Sequence, residues 1–152
     1  MTSKVTTVYN QIRTKLATLF SSKSEIPFPE DLLNNDDNFL RNGYGVLIRD
    51  AIPAVFTQNE YYLNRVFGII LTKEVVGTKE STEAIKTCRL DLAEEQVTLI
   101  NEFDAADQLE IDSSIEILSI ANVSPIEIVP GNDRILMTTV FFTIGISETR
   151  NT

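Results

Sequence analysis

Residues 134–149 read RILMTTVFFTIGISET, and how this stretch is paired decides the fold. It contains no proline and is rich in β-branched and aromatic residues, so it reads as one strand from Arg134 to Thr149. Strands in globular sheets are usually about 5–6 residues long. Side chains alternate across a strand. Leu136, Val140, Phe142, Ile144 and Ile146 therefore face one way, and Ile135, Met137 and Phe141 the other. The second side turns polar at Thr143, Gly145 and Ser147. The first half of the strand is thus expected to be covered on both faces and the second half on one.

Working outward, Pro130-Gly131-Asn132-Asp133 is a turn signal, so residues 114–129 form the other arm of a hairpin, broken near Ser124-Pro125. A further strand spans about 61–75. Val66 and Ile70 on one side, with Phe67, Ile69 and Leu71 on the other, mark it as central. Residues 43–50 read as a strand opened by glycines and closed by Pro53, followed by a connection over 51–59. Two segments change to a helical period. Val5, Val8, Tyr9, Ile12, Leu16, Leu19 and Phe20 share one face of a helix over about 4–20, which Thr2 or Ser3 can cap. Ile85, Cys88, Leu92, Leu99, Ile100 and Phe103 share one face of a second helix over about 81–103. Gln96 lies within that stripe and reads first as a paired core amide. Leu90 and Val97 lie off it, seven residues apart. The acids Asp104, Asp107, Glu110 and Asp112 follow the helix and read as a solvated loop.

Between the first helix and the first strand runs SSKSEIPFPEDLLNNDDN, residues 21–38, an excursion longer than the usual ~4–6 residue connection. Phe28, Leu32 and Leu33 are expected to pin it to the body. Its acids do not make a calcium loop, because neither register from Asn34 or Asp36 places the required Gly sixth and Glu twelfth.

The 152 residues fit one domain, 1–152, with hydrophobic content of 43% and a formal net charge of -9. Such a charge repels nucleic acid and anionic membrane over most of the surface. The densest apolar run, Val66–Leu71, is far short of the ~20 residues a bilayer needs, and no secretory leader pattern opens the chain. There is no histidine and one cysteine, Cys88. That removes the commonest general base, the Ser-His and Cys-His pairings, any internal disulfide and a structural zinc site. Gly43-Tyr44-Gly45 lacks the third glycine of a dinucleotide loop. No catalytic, cofactor or metal site is expected. The chain reads as α/β of the α+β kind: one domain, a mainly antiparallel sheet, an N-terminal helix, a central helix and a long C-terminal β-hairpin.

The strand RVFGIILTKEV (65–75), the helix RLDLAEEQVTLINEF (89–103) and the ending SPIEIVPGNDRILMTTVFFTIGISET (124–149) together resemble the tail terminator proteins of tailed bacteriophages. The resemblance is one of layout over most of the chain. It implies a structural virion protein of the neck, acting in head–tail joining: a homohexameric ring that caps the tail tube and ends its polymerisation. The implied partners are the tube protein, a sheath where one exists, and the head connector, with DNA passing through the ring unread. Assembly would take place in the host cytoplasm, away from membranes.

With only two helices to cover strands that are apolar on both sides, surplus apolar surface is expected to meet a second subunit. The candidate contact residues are Ile135, Met137 and Phe141, or Leu90 and Val97. The alternatives are another neck component, or a small acidic dimeric secretion chaperone that holds an extended client. Those chaperones typically finish on a helix, whereas this sequence finishes on a strand.

Overall fold

In the computed structural model the elements follow in the order α1 (Lys4–Leu19), β1 (Ser24–Glu25), a 3-10 turn (Leu32–Asn34), α2 (Asp37–Leu40), β2 (Asn42–Phe56), β3 (Glu60–Glu74), α3 (Thr82–Phe103), β4 (Ile115–Val123), β5 (Glu127–Val129) and β6 (Asn132–Thr149). Residues 4–56, 60–77, 82–103 and 115–149 are described, with side chains for 4–49, 51, 64–77, 82–103 and 122–146. The sheet order is β1-β2-β3-β6-β4, with β5 also on β6. Every pairing is antiparallel except the short parallel contact of β1 with β2. The chain is α+β.

β6 is the spine of this sheet. One edge pairs with the whole of β3, from Glu74↔Ile135 to Glu60↔Thr149. The other edge is shared in succession by β5 and β4, which are separated at Ser124-Pro125 as the sequence suggested. The expected alternation holds. Leu136, Val140, Phe142, Ile144 and Ile146 join Phe67, Ile69, Leu71, Tyr44 and Val46 in the main core. The two long helices close that face. α1 buries Val8, Ile12 and Leu16, and α3 buries Cys88, Leu92, Leu99 and Phe103. The rings of Phe103 and Phe142 meet at 5.2 Å, inside the range of favourable aromatic pairs. Each fully buried side chain of this size contributes about 1.5–3 kcal/mol through burial.

Among the described residues the reverse face has no long helix. A smaller cluster of Ile26, Leu40, Leu47, Ile70, Val129 and Ile135 is covered by the excursion before β2. Pro29 settles close to β2 because Gly45 has no side chain: a Cβ there would lie 2.7 Å from Pro29 Cβ. The excursion is held by Asn35. Its Oδ1 accepts from Phe28 N at 2.9 Å, and its Nδ2 donates to the carbonyls of Phe28 and Asp31. Asp36 caps α2, accepting from Asn38 N at 2.9 Å. The NNDDN run thus serves as clasp and cap.

Two expectations need correction. Pro53 does not close β2, which continues to Phe56 through register shifts at Ile48/Ala51 and Pro53/Val55. Beyond Tyr44 the outer side of β2 has no strand partner among the described residues, and proline's missing N–H is tolerated on an edge strand beside a bulge. The segment 51–56 is therefore strand, and 57–59 lie outside the described residues. Secondly, Leu32 is packed against the smaller cluster and Leu33, though 66% exposed, lies against Gly131, but Phe28 is 60% exposed. Ile26, Pro29 and Leu40, all buried, pin the excursion in place of Phe28. The expected cap at Thr2 or Ser3 and the acids Asp104, Asp107, Glu110 and Asp112 also lie outside the described residues. Among the described residues no helix is long and apolar enough to cross a membrane.

Candidate functional site

The smaller cluster does not cover all of the reverse face. Between the excursion and the β4–β5 junction the sheet is open, leaving a groove of about 520 Å³. Its floor is built from alternate residues of three strands: Leu47 from β2, Ile70 from β3, and Met137, Thr139 and Phe141 from β6. Pro29 to Leu33 form one wall, and Ser124, Pro125 and Glu127 the other. The depth of the floor depends on Gly68, whose partner in register is Phe141. A Cβ at Gly68 would sit 3.0 Å from the Phe141 ring and 3.3 Å from Leu47 Cβ, so glycine lets that ring lie against the sheet.

The groove is apolar below and charged above. The Arg49 guanidinium stands 5.5 Å over the Phe141 ring, a cation–π arrangement on its inner side. Glu30 and Asp31 mark one wall, and Glu127 the other. Asp31 is engaged with Asn34. This lining can grip an apolar ridge and orient it by charge. Among the described residues no group of three or more His, Cys, Asp or Glu side chains is placed to hold a metal ion.

Of the five candidate contact residues, Met137 and Phe141 lie together on the groove floor, each partly exposed. Ile135 does not join them. It is 1% exposed, packed with the cluster of Ile26, Leu40 and Leu47, and offers no surface to a partner. It shares a face with Met137 and Phe141, but the excursion covers only that end of β6. Leu90 and Val97 are far from the groove, on the outer side of α3, and are 58% and 54% exposed. α3 packs by Cys88, Leu92, Leu99 and Phe103, so a ridge at Leu90 and Val97 points away from the sheet. Gln96 is used internally. Its Nε2 donates to Thr138 Oγ1 at 2.6 Å, and that hydroxyl donates to the Ser124 carbonyl at 2.9 Å.

A buried charge cluster, which residue spacing gave no means of finding, ties the helical side together. Lys23 follows α1, and its ammonium donates to Asn42 Oδ1 at 2.8 Å and to the Thr72 carbonyl at 3.1 Å. It also stands 2.8 Å from Glu95 Oε1, while Lys73 Nζ holds Glu95 Oε2 at 3.3 Å. Burial pushes the Lys23 ammonium below the ordinary lysine range, against the opposing pull of Glu95. Cys88 is close by, its Sγ 3.6 Å from the Lys73 carbonyl. Burial pushes its thiol up, favouring the protonated form over a reactive thiolate. The cluster joins the turn after α1 to β2, β3 and α3, and Lys23 is its most enclosed member.

No protein-family model matches the chain, and no curated protein matches its sequence.

Proposed function

We propose that the protein is a structural subunit of an oligomeric ring, of the kind that caps a phage tail tube, ends its polymerisation and joins the tail to the head connector. The observation that carries this reading is the unequal cover of the sheet. One face is closed by two long helices, and the other keeps an apolar groove with Met137 and Phe141 on its floor. Exposed apolar surface with a polar margin is characteristic of a docking face. A second apolar ridge at Leu90 and Val97 gives the same protomer two places to meet its neighbours. The layout of strands and helices resembles that of tail terminators, and the net charge of -9 suits a lumen that passes DNA without holding it. In this reading the protein is not an enzyme, and its place is the neck of the virion.

The test is the mass in solution by light scattering across protein and salt concentrations, followed by electron microscopy with isolated tail tubes. A closed ring, free or seated on tube ends, is the expected result. A tight dimer that binds a disordered client, with tube ends left bare, replaces this reading with that of a secretion chaperone.

A further inference from the structure

The two apolar surfaces lie on opposite sides of the protomer. α3 packs on the sheet face that carries Phe67 and Phe142 and presents Leu90 and Val97 outward. The groove is cut into the reverse face. We propose that these surfaces are the two halves of one contact: the α3 ridge of each subunit docks in the groove of the next. This rests on the oligomeric reading above and says which surfaces meet.

A ridge on one side and a groove on the other define a heterologous, head-to-tail contact, which closes into a ring when its rotation returns to the start. A two-fold dimer would place each surface against its own copy, groove on groove or ridge on ridge, leaving the groove unfilled. The charges favour the head-to-tail match. Lys86 lies one turn before Leu90, and Glu94 lies between Leu90 and Val97 on the same outer side. The groove offers the opposite signs, Glu30 and Glu127 on its walls and Arg49 over its floor. Lys86 therefore meets the acidic walls while Glu94 meets Arg49, and Leu90 and Val97 reach Met137 and Phe141.

The test uses two full-length variants, each with one damaged surface. Leu90→Glu with Val97→Glu removes the ridge, and Met137→Glu removes the groove. Each alone is expected to be monomeric. Mixed, they are expected to form a one-to-one heterodimer and nothing larger, since only one intact ridge and one intact groove remain. Met137 also touches the smaller core cluster, so Glu30→Lys with Glu127→Lys provides a second groove variant that leaves packing alone. It is expected to weaken assembly by about tenfold or more. Reversing Arg49→Glu and Glu94→Arg singly is expected to weaken assembly similarly, and combining them to restore it. Wild type that assembles while the mixture stays monomeric, or while Leu90→Glu with Val97→Glu still forms rings, overturns the ridge-in-groove contact and leaves the ring intact. Wild type that stays monomeric, in solution and on tube ends, overturns the ring and the contact with it.

Discussion

Phe141 and Phe142 are neighbours in the chain, yet they belong to two different environments. Phe142 points into the main core, is buried, and meets the ring of Phe103 of α3 at a tilt. Phe141 points to the reverse face, lies over Gly68, and is partly open beneath Arg49. The same side chain on the same strand is thus sealed in the core on one face and lines an open groove on the other. The difference arises from what lies above each ring. Long amphipathic helices seal a face, whereas the excursion before β2, held by the Asn35 clasp, covers only the end nearest Ile135. A face covered by loop keeps room for a partner.

The contrast is easiest to break at the two rings themselves. Phe142→Ala is expected to cost about 4 kcal/mol of folding stability, measured by urea denaturation, because it leaves a cavity between sheet and helix. Phe141→Ala should cost less, about 2 kcal/mol, since that ring is only partly buried. Equal losses would mean that the two faces are not different in kind. Between these extremes lies Lys23→Met, expected to cost about 2 kcal/mol through lost hydrogen bonds and the partner removed from Glu95. Its pH dependence sharpens the point. The folded protein gives up the Lys23 proton at lower pH than the unfolded chain does. Between those two values the unfolded state binds more protons, so stability rises with pH. Wild type should therefore gain stability relative to Lys23→Met as pH rises through the lowered value toward the ordinary lysine range. A difference that is flat with pH would show that Lys23 is not desolvated. Smallest is Leu90→Glu, expected to shift the stability of the monomer by less than about 0.5 kcal/mol, as exposed helix positions do. A large loss there would show that Leu90 packs within its own chain.

Much of the fold was legible because it is local. The alternation along residues 134–149, the apolar stripes of α1 and α3, and the interruption at Ser124-Pro125 follow from periodicity and turn chemistry. What escaped depends on partners distant in sequence. Ile135, Met137 and Phe141 are equivalent by alternation, and the cover supplied by Ile26 and Leu40 separates the first from the other two. Lys23 and Glu95 look like ordinary surface charges until the fold places them 2.8 Å apart. Pro53 reads as a strand breaker unless β2 is known to be an edge strand beyond Tyr44. The site was half legible for the same reason. Leu90 and Val97 break the stripe visibly, but the groove is a property of how loop and sheet meet.

The position of β6 in the sheet carries a kinetic consequence. β2 and β3 are joined by a short connection and can zip together early, but β3 must wait for a partner that lies beyond α3, from Glu74 with Ile135 out to Glu60 with Thr149. Closing so long a loop is entropically expensive, and sheets built on such distant pairings fold slowly. Until β6 arrives, the β2–β3 hairpin presents Phe67, Ile69 and Leu71 on one side and Ile70 on the other, beside an unpaired edge. Refolding is therefore expected to be slow and to lose yield as protein concentration rises, which stopped-flow fluorescence and recovery of native protein would measure. Rapid refolding at every concentration would mean that β6 docks before the hairpin is complete. The strand that carries the floor of the groove is also the one that limits how safely the protein folds.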